Sequence, residues 1–232
     1  GTILSIPILH WNFIIYKYQT IMLGDVLLIE EKHKEAAESI KKHVLDNRKE
    51  KFIVAVSGES GLGKSELAHS LARKLKDEGI RAKPIHIDNY YKTHTLERNE
   101  WRKNHGIQSI GYDEYDWDTI YKNIDSFKKG EKATMPCIDI VTDQVDTLIT
   151  DFSDVDILIV YGLYAIKTEN TDLNVFIDLT YHETKKAQTK RGKESVNDFR
   201  MQVLEREHQV VSSLKPRANL IVNKYYKVEQ AG

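Results

Sequence analysis

With 232 residues, 41% of them hydrophobic and 30% charged, the chain has room for one sizeable core and small additions to it. Its 34 basic and 35 acidic residues leave a formal charge of −1, and the basic ones are scattered, which excludes the one-sided cationic stripe of a nucleic-acid binder and favours small, locally recognised substrates. The lone Cys137 excludes an internal disulfide, and no C-x-x-C or H-E-x-x-H spacing accompanies the 9 histidines, a pattern that argues against structural zinc and fits a reducing, cytoplasmic setting.

Residues 3 to 29 are rich in Ile, Leu and aromatics, but Pro7, His10, Asn12, Lys17, Gln19 and Asp25 interrupt them within the length a bilayer span needs. We read two or three short strands there, without the cationic start and small-residue cleavage site of a secretory leader. Glu30 to Leu45 carries Ala36, Ala37, Ile40, Val44 and Leu45 among charges, which predicts an amphipathic helix. Residues 1–50 therefore form an N-terminal extension of short strands and a helix, and residues 51–232 form the main domain. The extension could cover a sheet edge, lengthen the core or mediate a homodimer, and the sequence does not rank the three.

Phe52 to Ser57 is a continuous apolar run, as expected of a strand buried on both faces of a parallel sheet. It leads directly into Gly58-Glu59-Ser60-Gly61-Leu62-Gly63-Lys64-Ser65, an intact G-x-x-x-x-G-K-S phosphate loop. Glycines at 58, 61 and 63 let backbone N–H groups converge on phosphate oxygens. Lys64 places a cation on the β- and γ-phosphates, and Ser65 offers a hydroxyl to Mg²⁺. Glu66 to Leu75 then repeats apolar residues at helical spacing, so that a helix N-terminus aims its positive end at the anion. Strand, loop and helix together identify a nucleoside triphosphate site that uses Mg²⁺, and an ordinary glycine turn does not explain the set.

Ala82 to Asp88 follows at crossover distance and ends in the polar cluster Asp88-Asn89-Tyr90-Tyr91-Lys92, which completes a βαβ unit with its functional end exposed. Thr93 to Ile110 is polar with weak periodicity. Trp117 to Phe127 reads as a helix before a turn at Lys129-Gly130, Asp156 to Gly162 and Asn174 to Asp178 read as strands, and Asn219 to Val222 as the strand that closes the sheet. Val196 to Leu214 reads as a helix packed on the sheet through Phe199, Val203, Leu204, Val210 and Val211. Strands alternating with helices predict a three-layer α/β/α fold of the phosphate-loop NTPase type, with a mostly parallel sheet.

The loop alone would serve a GTPase, a transporter-type ATPase, a motor or a small-molecule kinase. Asn223-Lys224-Tyr225-Tyr226 starts like the guanine-reading N-K-x-D but lacks its aspartate, and no L-S-G-G-Q occurs. Over roughly Phe52 to Val222 the chain resembles the uridine kinase and phosphoribulokinase family of phosphate-loop kinases. Ile87-Asp88-Asn89-Tyr90-Tyr91-Lys92 is similar to that family's D-x-F-Y segment, and Tyr112 to Asp118 to its acceptor-contacting stretch without the usual proline. Pro136-Cys137-Ile138-Asp139 resembles P-x-Y-D with Ile138 in place of tyrosine. Tyr161-Gly162-Leu163 stands where E-G-I is usual, and Phe176-Ile177-Asp178 precedes the segment that would be the basic lid.

The resemblance implies an ATP-dependent, Mg²⁺-using phosphotransferase whose acceptor is a hydroxyl of a small metabolite such as a nucleoside, sugar or vitamin precursor, with neither nucleic acid nor membrane as partner. The expected catalytic residues are Asp88, Lys64 and Arg191. Nucleotide would be held by Gly58, Glu59, Ser60, Gly61, Leu62, Gly63, Lys64, Ser65, Glu66 and Lys190, and Mg²⁺ by Ser65 and Asp88. Acceptor binding would fall to Tyr91, Asp113, Asp116 and Asp139. Asp113 and Asp116 suit a helix start equally well, Tyr91 suits the core, and His86, inside an apolar strand, reads as a core histidine. A lid near 184–195 would draw on Lys185, Lys186, Lys190, Arg191 and Lys193, of which only Arg191 has a planar fork for phosphate. The missing tyrosine and the following histidine count against uridine or cytidine as acceptor, and Tyr161 supplies no carboxylate to support magnesium. Those departures keep two other readings open, a nucleotide-binding regulator with decayed transfer chemistry and a phosphate-loop ATPase.

Overall fold

The computed structural model describes residues 26–183 and 198–232, together with the backbone of residues 18–19. The segment expected to form a lid, with Lys185, Lys186, Lys190, Arg191 and Lys193, lies outside the described residues. A short antiparallel pair, β1 (Tyr18–Gln19) and β2 (Leu27–Leu28), precedes helix α1 (Glu31–Asn47). The central sheet begins with β3 (Phe52–Ser57), buried at every position, and helix α2 (Lys64–Asp77) carries the chain across to β4 (Ala82–His86).

A 3₁₀ turn (Ile87–Tyr90) and helix α3 (Thr95–His105) follow, then helix α4 (Trp117–Lys129) and a hairpin of β5 (Lys132–Asp139) with β6 (Gln144–Asp151). The chain returns to the sheet through β7 (Ile157–Tyr161) and β8 (Leu173–Ile177), passes along helix α5 (Asp198–Ser212), and ends in β9 (Leu220–Val222) and β10 (Val228–Gln230). The six strands stand in the order β10-β9-β8-β3-β7-β4, parallel except for the β9–β10 pair. The strand that closes the sheet is therefore β10, an antiparallel edge after a turn at Tyr226 (φ 59°), and not the expected segment 219–222.

Two apolar layers sandwich the sheet. On one face Ala36, Ala37, Ile40 and Val44 of α1 pack with Leu67, Leu71 and Leu75 of α2. On the other, Ile120, Ile124 and Phe127 of α4 and Val210, Val211 and Leu214 from the α5 region pack with Ile53, Leu158 and Val160. Sequence chemistry sets the limits of α4. Asp116 caps its N-terminus by accepting from the Thr119 N–H at 3.1 Å, and Gly130 (φ 67°) ends it as its N–H and that of Glu131 donate to the Phe127 and Ser126 carbonyls. Among the described residues no helix is long and apolar enough to cross a membrane.

The weakly periodic stretch after Thr93 contains a full helix, α3, and β5–β6 is a hairpin that the strand pattern does not announce. Asp88 falls in the 3₁₀ turn, two residues beyond the strand end at His86.

Candidate active site

Strand β3 stops at Ser57 because Gly58 must pass close to β8: a Cβ there would stand 3.0 Å from Ile177 Cβ. The loop then turns into α2 through Gly63 (φ 81°), where a Cβ would meet His33 Nε2 at 2.5 Å and the Tyr226 hydroxyl at 2.9 Å. No side chain caps α2, so its first N–H groups stay open toward an incoming anion. The loop is braced from behind. Tyr226 Oη donates to the Leu62 carbonyl at 3.0 Å, and the His33 ring meets Tyr226 edge-on at 5.2 Å. Neither brace was expected from the sequence, where Tyr226 reads as part of a failed guanine motif. The signals that could have found them are a histidine inside the apolar stripe of α1 and a tyrosine at a positive-φ turn.

Lys64 is buried and donates to the Glu59 carbonyl at 2.6 Å. Burial lowers its proton affinity, and Asp88, Glu207, Glu59 and Glu66 act against that. The Glu59 carboxylate is turned away from the loop. One oxygen accepts from the Tyr181 N–H at 2.9 Å and the other lies 2.7 Å from His208 Nδ1, so it ties together the two stretches that flank residues 184–197. This leaves only the Glu59 backbone to face a phosphate. Ser65 and Glu66 are half-buried in the first turn of α2, while Ser60 and Gly61 are exposed at the loop's tip.

Across from the loop, the Asp88 carboxylate sits among four groups. His86 Nε2 lies 3.3 Å from Oδ2 and the Tyr115 hydroxyl donates to Oδ1 at 3.2 Å, while Lys64 and Arg98 add positive charge. Burial opposes ionisation, but His86, Lys64 and Arg98 together outweigh it and hold Asp88 well below the usual carboxylate range. Tyr91 and Tyr115 stack with centroids 4.2 Å apart and hydroxyls 2.7 Å apart, and burial raises the proton affinity of both, so each serves as a neutral donor. The Arg98 guanidinium lies 3.4 Å above the Tyr91 ring. Arg102 grips Glu114 through two bonds of 2.7 and 3.0 Å, fixing α3 against the turn at residues 112–114.

His86 is neither a free core histidine nor exposed. It stacks on Tyr161 at 4.6 Å between centroids and presents its other edge to Asp88. Tyr161, where the resembled family has glutamate, is buried at the end of β7, and its hydroxyl lies 3.4 Å from His69 Nε2. Burial pushes the His69 imidazole down to about 4, so it faces that hydroxyl uncharged.

The expected acceptor residues divide. Tyr91 stands beside Asp88, and Asp116 lines a cleft of about 520 Å³ with Tyr91, Lys92, Thr134 and Met135, although both its oxygens already bond to Thr119. Asp113 is exposed on a different cleft of about 660 Å³, between Lys92, Gly111, Tyr112 and Arg206. Asp139 lines neither of these clefts. It accepts from the Val141 and Thr142 N–H groups and so shapes the hairpin turn. Sequence reading missed Glu207 altogether. It is an acid on the apolar face of α5, between Val203 and Val210, and only 9% exposed. An acid in phase with an apolar stripe was the signal available.

Comparison with known proteins agrees with this geometry. The uridine kinase of Ureaplasma urealyticum serovar 10 is 31% identical over 141 residues, which cover 57% of this chain and 64% of that protein, so the match spans less than two thirds of the relative. Among solved structures, the phosphoribulokinase of Rhodobacter spheroides superposes with a TM-score of 0.56 at 16% identity, covering 74% of this chain and 69% of the other. A D-glycerate 3-kinase from Cryptococcus neoformans var. grubii gives a TM-score of 0.55 at 13% identity, covering 87% and 98%. At those identities the superpositions speak for the shared α/β fold alone. The family model described as "Phosphoribulokinase / Uridine kinase family" matches residues 53–225, three quarters of the chain, with the phosphate loop and Asp88 inside it and the braces His33 and Tyr226 outside it, and the chain belongs to that family.

Proposed function

We propose that the chain transfers the γ-phosphate of ATP to a hydroxyl of a small metabolite. The observation that carries this reading is the meeting of the phosphate-loop lysine with an acceptor-side carboxylate. Lys64 and Asp88 lie within each other's field, one anchored at the start of α2 and the other just past β4. Phosphoryl transfer asks the protein mainly to align two oxygens and neutralise charge between them, and this pair spans that gap.

The open N–H groups of α2, the positive-φ glycines and buried Lys64 fit a triphosphate. Ser65 and Asp88 would hold Mg²⁺, which would supply positive charge against the phosphates. Asp88, ionised at all working pH values, orients the acceptor hydroxyl and takes its proton late, as the leaving oxygen separates. Tyr115 and His86 hold its carboxylate in place. In this reading Arg191 and Lys190 close over the phosphates, and Tyr91, Asp113, Asp116 and Asp139 remain the acceptor-side assignments, with Tyr91 and Asp116 the best situated. Ile138, buried where the family's tyrosine would stand, speaks against a pyrimidine nucleoside and for a sugar-like or vitamin-precursor acceptor.

The test is a screen of the protein with Mg-ATP against nucleosides, sugars, sugar phosphates and vitamin precursors, following ADP and phosphorylated product, with Asp88→Asn as control. Acceptor-dependent product that disappears in Asp88→Asn supports the reading. Tight ATP binding with no product from any acceptor would replace it with the regulator reading, which the buried, carboxylate-free Tyr161 motivates.

A further inference from the structure

Glu207 on α5 is nine-tenths buried, nothing among the described residues donates a hydrogen bond to it, and its oxygens are not among the fully enclosed polar atoms, so a ligand can reach them. A buried carboxyl without a donor is unfavourable, and folded proteins keep such groups mainly where a ligand completes them. The charges it feels come from several other elements: Arg102 on α3, Glu114 in the turn that follows α3, Asp88 after β4 and Lys64 on α2. Its own charge is felt in turn by Tyr91 and Tyr164. Flanking residues on α5 are committed elsewhere, since Arg206 Nε donates to the Ile110 carbonyl at 3.1 Å and His208 pairs with Glu59. Glu207 thus has no hydrogen-bond partner among the described residues, although charged groups of the site act on it.

Deepening the transfer reading above, we infer that Glu207 is a specificity-determining residue that accepts a hydrogen bond from a second hydroxyl of the acceptor, next to the one that Asp88 orients. The acceptor class is then a neutral polyol. The nearest cations are already engaged, Arg102 by Glu114 and Lys64 by several carboxylates, so a neutral donor completes Glu207 without drawing a cation away from its partners. A site built to bond a hydroxyl rejects analogues that lack it, because the buried acceptor atom is then left unsatisfied.

Ionised Glu207 is the stronger acceptor of a hydrogen bond, and burial pushes its carboxyl up to about 7, while Asp88 stays ionised far below that. Acceptor use therefore declines as the solution is acidified through about pH 7, on account of Glu207 rather than the base.

The experiment compares wild type with Glu207→Gln, using uridine, D-ribose, D-fructose and glycerol as probes. One arm measures probe binding by calorimetry in the presence of Mg²⁺ and a non-hydrolysable ATP analogue. The other measures ADP release across pH, with KM for probe and for ATP and the Mg²⁺ concentration for half activity. Expected is at least one probe that binds wild type and loses roughly tenfold or more in affinity or KM in Glu207→Gln, with ATP KM and Mg²⁺ demand within about twofold, and an acid limb near pH 7 that the variant lacks. A shift in Mg²⁺ demand instead of acceptor KM, a persistent acid limb, or probes that bind both proteins equally would overturn the assignment, as would the failure of every probe to bind wild type. Binding that depends on Glu207 without any turnover would leave the assignment standing and defeat the kinase reading alone.

Discussion

Replacing Glu207 by glutamine should change the stability of the protein in a manner that depends on pH, whatever the acceptor proves to be. Burial, with help from Glu114 and Asp88 and against Arg102 and Lys64, raises the carboxyl to about 7 from the ordinary 4.5. The folded chain therefore holds this proton more tightly than the unfolded one, and the sign follows: stability falls as pH rises from 4.5 through about 7 and levels off above. At ~1.4 kcal/mol for each tenfold change in proton affinity, the ionised side chain opposes folding by up to about 3 kcal/mol above that range. Glutamine keeps the shape and removes the charge, but brings an amide whose donors lack partners, a penalty of about 1–2 kcal/mol that is the same at every pH. The informative quantity is thus the difference in melting temperature between variant and wild type, measured by calorimetry near pH 5 and near pH 8. It should move in favour of the variant by roughly 6–12 °C across that interval for a chain of this size. A difference that stays flat would mean that Glu207 has an ordinary proton affinity, hence a partner or open solvent at its oxygens, and the description of Glu207 as a largely buried, unpartnered acid would be wrong.

Further substitutions probe the frame around it. Asp88→Asn should lower turnover by about 10²–10⁴ while ATP affinity, measured by titration, stays near that of wild type, since the amide can neither accept the proton nor balance Lys64 in the transition state. In Gly162→Ala the new Cβ would lie 2.2 Å from Ile87 Cγ1 at a φ of 150°, and with Ile87 next to Asp88 the substitution should cost about 2–4 kcal/mol and activity as well, whereas Gly61→Ala (φ 79°), with open space around it, should cost only about 1–2 kcal/mol. Glu114→Gln should cost about 3–5 kcal/mol in urea titrations by stranding buried Arg102, and Arg102→Met with Glu114→Leu together should restore most of it; equal losses in single and double variants would contradict the pairing.

What could be read from the chain follows what drives each element. Continuous apolar runs at Phe52–Ser57 and Ile157–Tyr161 announce strands buried on both faces, and every residue of both is buried. The phosphate loop is legible because its backbone geometry demands glycine at fixed positions. Helix α3 was not legible because apolar burial does not hold it in place. Its one buried residue is Arg102, bound to Glu114, and Arg98 sits on Tyr91. Strand β6 is exposed along nearly its whole length, so it shows no alternation. Of the site, Asp88 and Lys64 could be placed by motif, but Glu207, His33 and Tyr226 reach it from α5, α1 and the turn before β10, which only tertiary structure brings near.

Tyr161 changes how Asp88 is supported. A glutamate at that strand end would put a second carboxylate near Asp88, and the two negative charges would compete for the same cations. Tyrosine instead offers its ring face to His86, and His86 in turn braces Asp88 Oδ2 from the side away from the Tyr115 hydroxyl on Oδ1. The carboxylate is thereby fixed by two donors and kept ionised without a second acid next to it. Under the transfer reading Mg²⁺ would then lean more heavily on the phosphates and Ser65, and the chain should demand more of the metal while Asp88 is oriented more tightly. Tyr161→Phe tests that division. It leaves the stack with His86 intact and removes only the hydroxyl facing His69, so Asp88-dependent turnover should persist; a large loss would place the hydroxyl itself in the chemistry and undo the view of Tyr161 as a platform for His86.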